Sequence, residues 1–311
     1  MSDINKILIT GRLYREIGEA LESKISKEIL CLPEDKVTEK ELRCADAYVA
    51  FKPTDNFAFY NIKWVHALGA GVDGFLFGRQ WKKDVLLTRT ICSFGKKISE
   101  YCLSYILSDL QHHREFKKNQ QEKLWKQLTP ASIGSQTILI LGTGVIGSEV
   151  AKSLSYFGAE VIGVSLSGKT VNYFNRTIKF SDVQEYLSRV DWLINTLPLT
   201  ESTQGIIDDN IFKYLNSAGF INVGRGSTLN EKALLKALVN NNIKIAILDV
   251  FPAEPLPLES ELWSNSNIII TPHISAITDV DEAVECFLNT LTGIESGETN
   301  LKNKVSIKKG Y

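Results

Sequence analysis

Ile138-Leu139-Ile140-Leu141-Gly142-Thr143-Gly144-Val145-Ile146-Gly147 is the stretch on which the fold turns. Four consecutive apolar residues suit a strand buried on both faces. The run opens into Gly-x-Gly-x-x-Gly, and the residues after it carry a helical pattern to position 157. Glycines so placed allow a tight turn, close approach of the backbone to a pyrophosphate, and close packing of helix on strand, while the helix N-terminus favours negative charge. Alone the motif describes only a glycine-rich turn. Between a strand and a helix it predicts a dinucleotide site built from Gly142, Thr143, Gly144, Val145, Ile146 and Gly147.

Outward from this point, strand-like runs recur near residues 137–141, 160–164, 192–196, 219–223, 243–249 and 267–271, separated by helical patterns such as 145–157 and 231–239. Apolar strands alternating with helices predict an α/β fold with a doubly wound parallel sheet. The first hundred residues read as a smaller α/β domain, with strands at 6–10, 47–51, 64–67 and 85–88 and a helix at 13–24. Residues 99–126 read as one long connecting helix with apolar positions at Tyr101, Leu103, Tyr105, Ile106 and Leu110. After Pro272 the chain turns helical over about 278–294, a segment placed to return to the first domain. The expected division is therefore 1–98 with 279–311 as a substrate domain, and 99–278 as the dinucleotide-binding domain.

The composition fits two such cores. The chain has 311 residues, 44% hydrophobic and 23% charged, with a formal net charge of −1. Its only basic cluster is the short tail of Lys302, Lys304, Lys308 and Lys309, so nucleic acid is a poor partner on electrostatic grounds. The five cysteines are scattered and never form Cys-x-x-Cys, which suggests reduced thiols and no zinc site. No signal-like or membrane-spanning run is seen, and a cytoplasmic location without membrane association is expected.

The end of the second strand of the doubly wound sheet, Ser165-Leu166-Ser167-Gly168-Lys169, lies where a ribose-binding carboxylate is expected. None is present. Without that charge a 2′-phosphate is not repelled, and Ser165, Ser167 and Lys169 are candidates to bind it, favouring NADP(H) over NAD(H). A solvated turn that holds NAD less specifically remains the alternative. Leu197-Pro198-Leu199-Thr200-Glu201-Ser202-Thr203 leaves another strand and can wall off the cofactor, through Leu197, Pro198 and Thr203, or serve only as a turn.

Three further residues end strands in the second half: Arg225 in Ile-Asn-Val-Gly-Arg-Gly, Glu254 between Pro252 and Pro255, and His273 in Thr-Pro-His-Ile-Ser. Each alone is unremarkable as a surface charge or a structural histidine. Together they supply a planar cation for a carboxylate or carbonyl oxygen, an imidazole to donate a proton, and a carboxylate to hold that imidazole protonated. Lys52 and Trp81 read as a surface lysine and a core tryptophan.

These segments, taken in order with Ala45-Asp46-Ala47, Leu68-Gly69-Ala70-Gly71-Val72-Asp73, Ile98-Ser99-Glu100, Asn222-Val223-Gly224-Arg225-Gly226, Leu248-Asp249-Val250-Phe251, Glu254-Pro255-Leu256 and Thr271-Pro272-His273, resemble the D-isomer-specific 2-hydroxyacid dehydrogenase family over nearly the whole chain, and most of all its glyoxylate and hydroxypyruvate reductase branch. The resemblance implies two Rossmann-like domains, the smaller one flavodoxin-like and completed by the C-terminal segment. It implies NAD(P)H-dependent reduction of a small 2-keto acid to the D-2-hydroxy acid. Arg225, Glu254 and His273 would be catalytic, with His273 the proton donor. Ala70, Gly71, Arg225 and His273 would bind substrate, and Val223 and Asp249 would border the cofactor, Asp249 near the nicotinamide carboxamide. Closure of the two domains and a homodimer formed through the 99–126 segment are also implied. Two alternatives stay open: oxidation of a D-2-hydroxy acid with NAD, and a dinucleotide-sensing, corepressor-like binding protein without turnover.

Overall fold

A computed structural model describes residues 4–311, and the chain divides into two compact units. The first comprises the described residues up to Phe94 together with Thr278–Tyr311. Its five strands are β1 (Lys6–Thr10), β2 (Glu28–Leu32), β3 (Ala47–Ala50), β4 (Trp64–Ala67) and β5 (Leu86–Arg89). They pair in parallel in the order β2-β1-β3-β4-β5, the flavodoxin-like doubly wound order. Alternate residues fill opposite faces: Ile7, Ile9, Ala47 and Val49 join one core cluster, and Leu8, Tyr48 and Ala50 the other.

The C-terminal helix Val280–Glu295 covers the first of these faces. Asp279 caps it by accepting from the Glu282 amide, and its stripe Val284, Phe287, Leu291 and Ile294 packs with Ile17 and Leu21. Phe287 stacks on Trp64 with ring centroids 4.8 Å apart, a contact of about 1 kcal/mol beyond its burial. Beyond the helix, the Val305 amide donates to the Leu87 carbonyl and the Arg89 amide to that of Asn303, so the tail lies along β5. Among the elements of this unit that escaped the sequence reading are β2, a half-exposed edge strand, the short helix Asp73–Leu76, and the helix Glu39–Cys44, whose capping box of Thr38 and Glu41 is visible in the sequence once sought.

The second unit, Gly95–Ile277, holds β6 (Thr137–Leu141), β7 (Glu160–Ser165), β8 (Arg176–Lys179), β9 (Trp192–Asn195), β10 (Ala218–Asn222), β11 (Ile243–Leu248) and β12 (Ile268–Ile270). All pairings are parallel, in the order β12-β11-β10-β9-β6-β7-β8. The chain winds one way from β6 through β7 to β8 and the other way from β9 to β12. The crevice outside the carboxyl ends of β6 and β9 is thus the topological switch point, where open α/β sheets bind ligands. Strand β8, Arg-Thr-Ile-Lys, was not anticipated, because only Ile178 is buried on this edge.

The single helix expected at 99–126 is instead two, Phe94–Leu110 and His113–Gln121. The first buries Ile98, Cys102, Ile106 and Leu110 at intervals of four. That stripe ends at Leu110, the chain turns through His112 at φ 56°, and the second helix has no buried residue. No helix among the described residues is long and apolar enough to cross a membrane.

Candidate active site

The glycine loop between β6 and the helix Val145–Tyr156 can be tested for its fit to a pyrophosphate. Gly142 adopts φ 101°, a left-handed conformation that side chains resist, and donates its amide to Val164 O at 2.9 Å. A Cβ on Gly147 would lie 2.0 Å from Gly142 O, so the helix can pass this close only without a side chain. A Cβ on Gly144 would meet nothing within 4 Å. Gly144 therefore borders open space at the N-terminus of a 12-residue helix that has no side-chain cap. Uncapped amide donors, the positive end of the helix dipole and room for close approach together fit a dinucleotide phosphate.

At the end of β7, Ser165 Oγ accepts from the Gly168 amide (3.1 Å) and Ser167 Oγ from that of Lys169 (3.3 Å), so both hydroxyls shape the turn. The unanticipated β8 brings a second cation there. Lys179 pairs in register with Ser165, and its Cγ would lie 2.9 Å from a Cβ on Gly168. Lys169 and Lys179 are both exposed, and no carboxylate stands in residues 165–169.

Buried asparagines brace the turns after β9 and β10. Asn195 Nδ2 donates to Asn222 Oδ1 and to Thr228 Oγ1, both at 2.8 Å, and Asn195 Oδ1 accepts from the Leu197 amide. Thr228 in turn donates to the Arg225 carbonyl at 2.6 Å. These residues were missed, although polar side chains ending Trp-Leu-Ile-Asn and Phe-Ile-Asn were the available signal. Thr203, expected as a cofactor neighbour, spends its hydroxyl on Pro198 O (2.7 Å) and on the Thr200 amide (2.8 Å), which fixes the Leu197-Pro198 turn. Val223 is buried in a core cluster of this unit.

Arg225, Glu254 and His273 leave adjacent strands. Asn222 of β10, Leu248 of β11 and Ile270 of β12 lie side by side in register, and the three functional residues follow them at the same sheet edge. Glu254 Oε1 accepts from the Phe251 amide at 2.9 Å, and Oε2 pairs with His273 Nδ1 at 2.8 Å. Burial alone would raise the Glu254 carboxyl. The His273 hydrogen bond, the Phe251 amide and the charges of His273 and Arg225 outweigh it and hold the group below its ordinary value. Because Nδ1 faces Glu254, Nε2 is the ring nitrogen left to meet a ligand. Arg225 donates from Nη1 to its neighbour Gly224 O at 2.7 Å, which orients the guanidinium on its loop.

Asp249 is fully buried beneath this pair. Oδ1 accepts from Thr271 Oγ1 (2.6 Å) and the Ile274 amide (2.8 Å), and Oδ2 from the Ser275 amide (2.8 Å), while the Asp249 carbonyl takes the His273 amide at 2.9 Å. A carboxylate offers about four acceptor directions. The expected cofactor neighbour is therefore first of all a clamp on the 271–275 segment, with one direction on Oδ2 left over. Thr271 gives its only hydroxyl proton to Asp249, so it accepts from Tyr101, whose oxygen lies 2.6 Å away. Burial pushes the Tyr101 phenol far above its usual range, in keeping with a donor hydroxyl.

In the first unit, no hydrogen bond engages the amides of Ala70 and Gly71 among the described residues, whereas Leu68 O accepts from Thr278 and Ala70 O from Arg89. Lys52 pairs with Glu34 at the surface, and Trp81 donates to Val85 O while packing edge-on to Phe59.

A parallel sheet wound in this order, with the glycine loop at its switch point and an Arg, a Glu–His pair and no ribose carboxylate beside it, defines an oxidoreductase that works with a nicotinamide dinucleotide. Residues 103–275 match the family model described as D-isomer specific 2-hydroxyacid dehydrogenase, NAD binding domain. The chain is 33% identical over 293 residues to glyoxylate/hydroxypyruvate reductase A of Escherichia fergusonii, covering 90% of this chain and 93% of that protein. It is 35% identical over 245 residues to the Serratia proteamaculans protein of the same name, covering 76% and 78%. The chain belongs to the D-isomer specific 2-hydroxyacid dehydrogenase family. Among solved structures it resembles a family member from Xanthobacter autotrophicus in complex with NADPH and MES (TM-score 0.90, 28% identity, 99% of this chain and 100% of that one). It also resembles an NADPH-dependent glyoxylate/hydroxypyruvate reductase from Sinorhizobium meliloti in complex with NADP and sulfate (TM-score 0.89, 29% identity, 99% and 100%).

Proposed function

We propose that the protein reduces a small 2-keto acid of the glyoxylate or hydroxypyruvate type to its D-2-hydroxy acid, with NADPH preferred over NADH. The observation that carries the reading is the 2.8 Å contact of His273 Nδ1 with Glu254, which leaves Nε2 for substrate. A bound nicotinamide cofactor supplies the hydride. Arg225 binds the carboxylate and polarises the keto oxygen, stabilising negative charge as it develops there. His273 gives its Nε2 proton to that oxygen, and Glu254 stabilises the imidazolium beforehand. The amides of Ala70 and Gly71 are further donors for the carboxylate. Gly142 to Gly147 and the Leu197-Pro198 turn hold the cofactor, and Val223 and Asp249 support the site from behind.

The preference for NADPH rests on the missing carboxylate near Ser165 and on Lys169 and Lys179, two exposed cations at the end of β7 and in the neighbouring strand β8. The name of the Sinorhizobium meliloti relative, NADPH-dependent, supports it by analogy. A homodimer is proposed on the exposed Phe116, Leu124 and Trp125, which follow the helix Phe94–Leu110. The test is absorbance decay with NADPH and NADH against glyoxylate, hydroxypyruvate, pyruvate and phenylpyruvate, for wild-type protein and His273→Asn. Turnover that falls about 10²-fold or more in the variant, with cofactor affinity kept, is expected for loss of a general acid. Undiminished turnover would refute the role of His273, and a clear preference for NADH would refute that of the two lysines.

A further inference from the structure

The peptide joining Ala70 to Gly71 is held from one side. Arg89, the last residue of β5, donates from Nη1 to Ala70 O at 3.1 Å. The stem of Arg89 is itself fixed: it pairs in register with Ala67 of β4, and its amide donates to Asn303 O of the C-terminal tail at 3.1 Å. Two residues earlier, Leu68 O is tied to Thr278 Oγ1 at 3.2 Å, and Val72 O closes the turn after the loop by accepting from the Phe75 amide at 3.0 Å. In a trans peptide the C=O and N–H point in opposite directions. A guanidinium on Ala70 O therefore aims the Gly71 N–H the other way, and its charge polarises the peptide so that this N–H is the stronger donor.

We propose that Arg89 is a positioning residue for the substrate carboxylate, acting through the Ala70–Gly71 peptide. The inference deepens the proposed function and rests on it for the identity of the anion. Arg89 makes the loop selective for a negatively charged group, since a neutral acceptor gains little from a donor sharpened by a cation behind it.

The experiment compares Arg89→Gln and Arg89→Lys with wild type on glyoxylate and on glycolaldehyde, which lacks the carboxylate, at saturating NADPH. Weakening one charge-assisted contact predicts a rise in glyoxylate KM of roughly tenfold for Arg89→Gln. Its kcat changes far less, its kcat/KM for glycolaldehyde and KM for NADPH are unchanged, and Arg89→Lys recovers part of the loss. Equal losses on both acceptors, or an unchanged glyoxylate KM in a variant that melts like wild type, would overturn the assignment. Oxalate titrated calorimetrically into the NADP-loaded protein reads the same contact without turnover. Wild-type protein that binds oxalate but reduces no keto acid would retire the proposed reaction alone. Oxalate affinity that is the same in wild type and Arg89→Gln would retire Arg89.

Discussion

Replacing Asp249 by Asn removes one oxygen from a fully buried carboxylate that accepts three hydrogen bonds. The amide keeps its oxygen where two donors converge, Thr271 Oγ1 and the Ile274 amide, and so sets an NH2 against the Ser275 amide, donor facing donor. Two bonds fall from charged to neutral strength, a loss of about 1 kcal/mol each, and one buried donor is left unsatisfied at about 1–3 kcal/mol. Removing a buried charge returns part of this, leaving a net destabilisation of about 2–4 kcal/mol. For a unit of this size that is a fall in Tm of roughly 5–15 °C. The same clamp holds His273 at φ 55°, a left-handed conformation that costs about 1–2 kcal/mol when nothing enforces it. Its release should misplace the imidazole and lower kcat by about 10²-fold. Circular-dichroism melting, steady-state kinetics with glyoxylate and NADPH binding by fluorescence read the three effects separately. NADPH affinity should stay within a few-fold. A variant that loses NADPH affinity while melting and turning over like wild type would show that Asp249 serves the cofactor and that the clamp is incidental.

Gly144→Ala places its Cβ in open space, so the variant should fold and melt as wild type yet bind NADPH at least tenfold more weakly, because the methyl occupies room a phosphate needs. Gly147→Ala drives a Cβ to 2.0 Å from Gly142 O and should cost about 1–3 kcal/mol of stability or more; melting curves that rank the two variants the other way would contradict the packing. His66 is fully buried between Thr88 Oγ1 (2.8 Å) and Thr90 Oγ1 (3.2 Å), and burial drives its pKa down to about 3 from the ordinary 6.5. Between these values the unfolded chain binds the extra proton, so the stability from neutral His66 is complete above 6.5 and falls by up to about 1.4 kcal/mol per pH unit below it. Urea midpoints at pH 7 and pH 5 should therefore differ less in His66→Gln than in wild type, and equal differences would remove His66 as the cause.

The architecture of the second unit was legible wherever strands are buried on both faces, because Ile138 to Leu141 and Phe220 to Asn222 form short buried runs that end in glycine-containing turns. It was illegible at the edges. β8 buries only Ile178, so its sequence carries neither a continuous apolar run nor a clean alternation, and with it went Lys179; β2 does carry the run Ile29-Leu30-Cys31-Leu32, yet as an edge strand it stays half-exposed. The helix break at His112 was hidden because charged residues after Leu110 still favour a helix; only the end of the four-residue apolar stripe marks it. Residue types and order picked out the Arg–Glu–His set. Sequence alone passed over Asn195 and Asn222 and marked Asp249 only as a cofactor neighbour, because their hydrogen bonds join segments far apart in the chain.

Those supports explain how three side chains from three loops can share one geometry. Asn222, Leu248 and Ile270 stand on one rung of the sheet, and Arg225 and His273 each follow three residues later, so register places two of the three. Glu254 follows six residues after its rung, on a loop that needs a separate constraint. Gly226 provides it: a Cβ there would lie 2.0 Å from the Phe251 carbonyl carbon, so the Arg225 loop rests directly on the backbone whose amide holds Glu254 Oε1. The spacing of the cation from the Glu–His pair is thus set by the absence of one methyl group. Gly226 does for the Arg and Glu loops what Gly147 does for the cofactor loop, and a side chain at either position must move a backbone that carries function.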